Sequence, residues 1–154
     1  GYFRPFEFAG IRYVAVTQED LDSGVIRVER SGHRLRVSDP SRTFVDCLRR
    51  IDLAGGLEEC LKSLDGLRGV KFRDVDAALA VYDEDFLRRK AGYVLELMRD
   101  SSPYYGGLKD SELDGLASAI GKNLLYMERG VKSTHSERWN LYVPRNIESV
   151  NRGV

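Results

Sequence analysis

The chain has 154 residues, 42% of them hydrophobic and 31% charged, which is typical of one soluble globular domain and excludes a disordered chain. No apolar run approaches the ~18 residues of a transmembrane helix, and the first residues lack a signal-peptide pattern, so we expect a cytoplasmic protein. The 24 basic and 24 acidic residues cancel, so net charge does not attract the chain to nucleic acid.

The first residues predict a β-hairpin. Residues 3–8 carry three phenylalanines around Pro5, which has no backbone N–H and therefore belongs at the edge of a sheet. Ala9-Gly10 forms the turn, and residues 11–16 follow as a second strand because they are rich in β-favouring side chains. A polar stretch over residues 18–23 separates this hairpin from the next one.

The clearest hairpin pairs Val25–Arg30 with His33–Ser38 across the two-residue turn Ser31-Gly32. The shortest turn fixes the register of the two strands and leaves every apolar partner on the same face. This apolar face consists of Ile26, Val28, Leu35 and Val37. The agreement between turn length and apolar pairing supports the predicted register.

The polar face of the second hairpin is the best candidate site. The register places Arg27 opposite Arg36, and Glu29 opposite Arg34. Two arginines directly across from each other repel by roughly 0.2–1 kcal/mol, and a phosphate group, a nucleic-acid backbone or an acidic partner would relieve that repulsion. The alternative is a solvated strand face in which Glu29 and other acids neutralise the arginines.

From Asp39 the sequence becomes helical. Asp39 suits an N-cap, and Pro40 suits the first helical position because its missing N–H has no partner there. Apolar residues then recur at helical spacing in two runs on either side of a Gly55-Gly56 turn: Phe44, Cys47, Leu48 and Ile51, then Leu57, Cys60, Leu61 and Leu64. We expect both cysteines to be free thiols on buried helix faces.

Three further helices are expected, with N-caps at Asp74, at Asp83 or Asp85, and at Ser111. The fourth helix reaches about Met98 and has two apolar stripes, so we place it centrally. A polar loop then leads to a last strand over Arg138–Val143, with Trp139 in the core. We expect this strand to pair with the N-terminal sheet. The expected architecture is α+β: N-terminal antiparallel β-hairpins, about five short helices and a late C-terminal strand. We expect one domain over residues 1–145 and a frayed tail over residues 146–154.

The first helix carries further candidate residues. Arg42, Arg49 and Arg50 lie on or near it and are possible neighbours of the hairpin site. Asp46 is four residues from both Arg42 and Arg50, a spacing that also suits ion pairs within the helix. The basic run Arg88-Arg89-Lys90 is expected on a solvated face of the fourth helix.

Catalytic and metal-binding patterns are weak. Cys47, Cys60, His33 and His135 lack the spacing of zinc ligands, so we expect neither a metal nor a cofactor. A small hydrolase or nuclease that uses scattered carboxylates and His135 is the enzymatic alternative. A stand-alone nucleic-acid-binding module is a third hypothesis. An enzyme would gather titratable groups in a pocket, whereas a binding module would present an exposed basic surface.

Several stretches of the chain resemble one known family. They are Arg42–Leu48 (RTFVDCL), Leu53–Glu59 (LAGGLEE), Lys90–Leu97 (KAGYVLEL) and Ser136–Leu141 (SERWNL), and they occur in the family's order. Together they span roughly residues 25–143. The family they resemble is the AbiEi family, the antitoxin and transcriptional-regulator components of type IV toxin–antitoxin systems.

The resemblance implies a C-terminal, antitoxin-type domain without enzymatic activity. Relatives usually carry an N-terminal winged helix-turn-helix that binds operator DNA, and this chain opens on a strand instead. We therefore expect either an excised fragment or a member that lacks the reader domain. The implied partner is a nucleotidyltransferase-like toxin, and the resemblance leaves open whether neutralisation needs direct contact. Operator DNA is an expected partner of the full-length protein, and we expect the contact residues to be Arg27, Arg34, Arg36, Arg42, Arg49 and Arg50.

Overall fold

A computed structural model describes residues 3–151 of this chain, with side chains described for residues 3–149, and shows the predicted α+β class. The strands are β1 (Phe6–Phe8), β2 (Ile11–Tyr13), β3 (Val25–Arg30), β4 (His33–Ser38), β5 (Leu125–Tyr126), β6 (Ser133–Ser136) and β7 (Leu141–Pro144). The helices are α1 (Pro40–Arg49), α2 (Leu57–Asp65), α3 (Phe72–Tyr82), α4 (Asp85–Ser101), α5 (Asp110–Ser118) and α6 (Ile147–Asn151).

The first four strands form two separate antiparallel hairpins, β1–β2 and β3–β4. The register predicted for β3–β4 is confirmed, with Val28 opposite Leu35 and Arg27 opposite Arg36. Both turns, Ala9-Gly10 and Ser31-Gly32, have positive φ at their two central residues, as a type I′ turn requires. The predicted second strand was too long, because β2 ends at Tyr13 rather than at residue 16.

The helices build the hydrophobic core, and α4 lies in the middle of it as predicted. It packs against α1 on one side and α5 on the other. One of its apolar stripes is buried, and the other is only partly covered, because Phe86 is 37% exposed. The side chain of Asp39 caps α1 by accepting a hydrogen bond from the backbone N–H of Arg42 at 2.7 Å. Among the described residues both cysteines are free thiols, with Cys60 buried and Cys47 half-buried.

Three predicted N-caps were wrong by one to three residues. The helices α3, α4 and α5 begin after Lys71, Glu84 and Lys109, and the expected caps Asp74 and Ser111 lie inside the first turns. In α5 the capping side chain belongs to the first turn rather than to the cap residue, because Glu112 accepts a hydrogen bond from the backbone N–H of Lys109 at 2.8 Å. Acidic side chains in a first turn favour the helix without being its cap.

The late strand does not return to the first hairpins. It is β7, and it pairs in parallel with β5 and in antiparallel with β6, so the expected polar loop contains a strand. Trp139 precedes β7 and is fully buried, as predicted for a core residue. Its ring packs directly against the backbone of α4 at Gly92, where an added Cβ would lie 2.0 Å from the ring.

The structure describes a helix in part of the tail that was expected to be frayed. Residues Ile147–Asn151 form α6, which packs against α2, and the side chain of Ile147 is buried. Ile147 is the apolar side chain that α6 buries against the core. Residues 152–154 lie outside the described part of the chain.

Candidate functional site

The β3–β4 hairpin projects from the hydrophobic core. None of the side chains in residues 3–38 is buried, whereas the core begins with Phe44 in α1. The hairpin is joined to α1 through the backbone, where the N–H of Asp39 donates to the carbonyl of Gly24 at 2.7 Å. Its strands therefore present both of their faces to the outside.

Three arginines on this hairpin carry free guanidinium groups. Arg27 and Arg34 lie on the predicted polar face, and Arg30 lies opposite His33 beside the turn. Within residues 3–149 none of these three arginine side chains has a hydrogen bond or an ion pair. We call Arg27, Arg30 and Arg34 the hairpin arginines. Arg30 was not among the residues predicted from the sequence, and the register places it on the face of Val28 and Leu35 rather than on the face of Arg27 and Arg34.

Arg36 is exposed but already paired. Its guanidinium donates to the carboxylate of Asp22 at 2.5 Å and to the carbonyl of Leu21 at 2.6 Å. The repulsion predicted between Arg27 and Arg36 is therefore relieved within the chain by Asp22. Arg36 would have to give up this ion pair to bind an external anion.

Arg42 is a structural residue rather than a contact residue, which corrects its predicted role. Its side chain is only 3% exposed. The guanidinium donates to the Asp46 carboxylate at 3.0 and 3.2 Å and to the carbonyls of Ser23 and Asp20 at 2.6 and 3.1 Å. It also donates to the hydroxyl of Tyr82 at 2.7 Å. These bonds hold the segment before β3 against α1 and α3.

Tyr82 and Gly24 complete this junction. The Tyr82 hydroxyl donates to Asp46 at 2.5 Å, and burial together with the nearby carboxylate raises the pKa of Tyr82, so the phenol stays protonated. Gly24 has a φ of +64°, and a Cβ there would lie 2.8 Å from the Cβ of Arg42. Arg42 and Asp46, which belong to a stretch that carries much of the family resemblance, therefore hold the segment before β3 against α1.

Arg49 and Arg50 are partly exposed, and both have carboxylate partners. Arg49 donates to Glu84 at 2.8 Å, with its guanidinium over the ring of Tyr82 at 4.4 Å. Arg50 pairs with Asp52 at 2.8 and 3.0 Å, so the predicted pair between Arg50 and Asp46 was wrong. Of the two candidate i,i+4 ion pairs of Asp46, only the one with Arg42 forms, because α1 ends at Arg49 and Arg50 lies beyond the helix.

Arg89 and Lys90 are buried and Arg88 is partly buried, so the prediction of a solvated face for the basic run on α4 was wrong. Arg89 is fully buried, pairs with Asp85 at 2.7 Å and donates to the carbonyls of Asn140, at 2.9 Å, and Asn123. Lys90 donates to the carbonyl of Leu48 at 2.6 Å, and burial lowers the pKa of its amine. Arg89 and Lys90 lie on the covered side of α4, and their cations are therefore bonded within the chain.

His135 lies on β6 and does not meet a carboxylate. Its ring packs against Tyr142 with 5.1 Å between centroids, and its Nε2 lies 3.3 Å from the amide oxygen of Asn140. Titratable groups do converge at Arg42, Asp46 and Tyr82, beside a groove of about 330 Å³, where they bond to one another and to loop carbonyls. In the part of the chain described here, His, Cys, Asp and Glu side chains do not gather in threes as metal ligands would.

Comparisons of this chain with protein-family models, with curated proteins and with solved structures found no match. Within residues 3–151, none of the helices is both long enough and apolar enough to cross a membrane.

Proposed function

We propose that this chain is a non-enzymatic regulatory domain of a cytoplasmic protein, and that the hairpin arginines form its binding surface. The observation that carries the proposal is the contrast between two sets of arginines. Arg36, Arg42, Arg49 and Arg50 are bonded within the chain, whereas Arg27, Arg30 and Arg34 are exposed and have no partner in the described residues. Only the second set can bind an anion without first breaking an ion pair.

The chemistry of this surface suits an anionic partner. Guanidinium groups bind carboxylates and phosphates through two parallel hydrogen bonds, and such charge-assisted bonds are stronger than neutral ones. Glu29 contributes one negative charge beside Arg27 and Arg34, and Arg30 lies on the opposite face, so the hairpin keeps a local positive charge although the chain has none overall. An exposed hairpin also lets the side chains reach a partner without moving the core.

The resemblance to the AbiEi family gives this surface a specific role. We infer that the domain neutralises a nucleotidyltransferase-like toxin and assists operator binding in the full-length protein. In this proposal the hairpin arginines contact an acidic surface of the partner, and the Arg42 junction fixes the position of the hairpin. The bonds of Arg42 to Asp20, Ser23 and Tyr82 support this division of roles.

The test is a pair of charge-reversal variants of equal size. Arg27→Glu with Arg34→Glu reverses two hairpin arginines, and Arg73→Glu with Arg145→Glu reverses two exposed arginines elsewhere. Each variant is co-expressed with a nucleotidyltransferase-like toxin, and growth rescue is scored beside the thermal stability of the purified domain. We expect the hairpin variant to lose rescue with an unchanged Tm, because both side chains are exposed, and the control variant to keep it. Equal rescue by both variants would remove the hairpin arginines from the site.

A second candidate function is nucleic-acid binding by the same surface, because a guanidinium fits a phosphate as well as a carboxylate. Salt dependence distinguishes the two. Three arginines on phosphates of a DNA duplex would give a slope of about −2.7 in a plot of log affinity against log salt concentration. A slope near zero would favour a protein partner.

A further inference from the structure

The β1–β2 hairpin presents an apolar face that no side chain of residues 3–149 covers. Its register places Phe6 opposite Tyr13 and Phe8 opposite Ile11, so all four side chains share one face. They are 50%, 40%, 69% and 57% exposed, respectively. The rings of Phe6 and Tyr13 stack with 4.9 Å between centroids, and Phe3 packs against Phe6. The opposite face carries the pair Glu7 and Arg12.

This hairpin is weakly held by the remainder of the chain. Within the described residues, Phe6–Tyr13 has no hydrogen bond or ion pair with any other element. An isolated two-stranded hairpin is marginally stable in water, and a contiguous exposed apolar patch larger than roughly 300–600 Å² is unusual for a monomer. The exposed parts of Phe3, Phe6, Phe8, Ile11 and Tyr13 amount to roughly 500 Å² on typical side-chain areas, at the upper end of the range that monomers expose. A cover over this face would therefore stabilise the hairpin.

We infer that a second copy of this chain covers this face, with two β1–β2 hairpins packed face to face about a two-fold axis. The four residues of the face carry no charge, so two copies can meet without burying or opposing charges. The chain has no net charge, so long-range repulsion does not keep the copies apart. A polyanion, by contrast, would find no cation on this face, because Arg12 lies on the other one.

The area of the patch agrees with a dimer. Two patches of this size would bury about 1,000 Å², which reaches the roughly 1,000 Å² expected of a stable interface. Two small sheets packed about 10 Å apart with their apolar sides together make a four-stranded sandwich, a common way to bury such faces. Because the contact is isologous, each residue of one copy meets the symmetry-related face of the other.

Sedimentation equilibrium of the full chain tests the association. We expect a dimer for the native chain and a monomer for Phe8→Ser with Ile11→Ser. The matched control, Leu53→Ser with Leu124→Ser, removes two leucines that are 53% and 54% exposed and should stay dimeric. Far-UV circular dichroism checks that every variant is folded. A monomeric native chain, or a dimer that survives the Phe8 and Ile11 changes, would overturn the inference.

Cross-linking then tests the orientation of the two copies. In a Cys47→Ser background, Ile11→Cys places a thiol on the apolar face and Arg12→Cys places one on the opposite face. A short bismaleimide should link two chains through residue 11 and not through residue 12. The reverse result would show a different interface. The hairpin-arginine variants should associate normally, so failure of this inference and failure of the proposed function give different results.

Discussion

The close contact between Gly92 and Trp139 allows one chemical change to be tested in two places. Gly92 lies in the middle of α4 and Gly115 lies in the middle of α5. In an unconstrained helix, replacing glycine by alanine stabilises the fold by about 0.5–1 kcal/mol, because glycine loses more backbone freedom on folding. Helix propensity alone would therefore predict the same gain for Gly92→Ala and Gly115→Ala.

The structure predicts opposite signs for the two variants. A Cβ at Gly115 meets nothing within 4 Å, so the gain in helix propensity should appear in full. A Cβ at Gly92 would lie 2.0, 2.3 and 2.5 Å from three ring atoms of Trp139, far inside normal contact. The indole cannot simply turn away, because its Nε1 donates to the carboxylate of Glu96 at 2.7 Å.

The magnitude follows from these two terms. Overpacking a core costs about 1–3 kcal/mol, and a clash with three ring atoms belongs at the upper end of that range. After subtraction of the propensity gain, we expect Gly92→Ala to lower the free energy of unfolding by about 2 kcal/mol. Gly115→Ala should raise it by about 0.5–1 kcal/mol. In a chain of this length each kcal/mol corresponds to a change of about 2–4 °C in Tm.

Urea unfolding followed by fluorescence provides the assay, because Trp139 is the single tryptophan of the chain. A lower midpoint with an unchanged m value would show a loss of stability without a change in the unfolded state. The folded Gly92→Ala protein should also have a red-shifted emission if the indole has moved towards solvent. A Gly92→Ala variant that is as stable as the native protein would refute the packing of Trp139 on α4.

Two further predictions concern buried polar groups. Arg42→Met should lower the free energy of unfolding by about 2–3 kcal/mol and expose residues 16–24 to proteolysis. The reason is that the loop carbonyls lose their hydrogen-bond donor and Asp46 keeps only its bond to Tyr82. A change below about 0.5 kcal/mol in urea unfolding would show that Arg42 does not hold the segment before β3 in place. Burial, with smaller contributions from Glu148 and Glu96, raises the pKa of Tyr93 from 10.0 to about 12. The contribution of the protonated phenol to the stability of the folded state is therefore complete below pH 10 and is lost as the pH rises to 12. Tyr93→Phe should therefore reduce the loss of stability over that range by about 1 kcal/mol per pH unit, and parallel curves for the two proteins would disprove the shift.

The hairpin illustrates what short-range pattern can predict. The two-residue turn fixes which strand residues face each other, so the pairing of Val28 with Leu35 and of Arg27 with Arg36 followed from counting. The cap of α1 at Asp39 was equally local, because the side chain bonds to a backbone N–H three residues away. The free state of Arg27 was not predictable, since it depends on which carboxylates come near in space.

The fate of the basic residues shows the limit of the same approach. Arg88-Arg89-Lys90 has the sequence pattern of a solvated run, yet Arg89 and Lys90 are buried because they lie on the side of α4 that packs against its neighbours. Charge composition cannot distinguish these cases, since the carbonyls that Arg89 bonds lie 34 and 51 residues away in the chain. Only their surroundings in the fold decide whether a cation binds a partner or a carbonyl.

Sequence by itself determined the α+β class, the register of β3–β4, the cap of α1 and the central place of α4, because each depends on periodicity or on neighbours within a few residues. Tertiary structure alone decided that β7 joins β5 and β6, that Ile147 anchors α6 and that Gly92 must leave room for Trp139. Tertiary structure also decided that Arg42 is bonded within the chain while the hairpin arginines are exposed. These outcomes depend on contacts between distant segments, and no local pattern records which segments will meet.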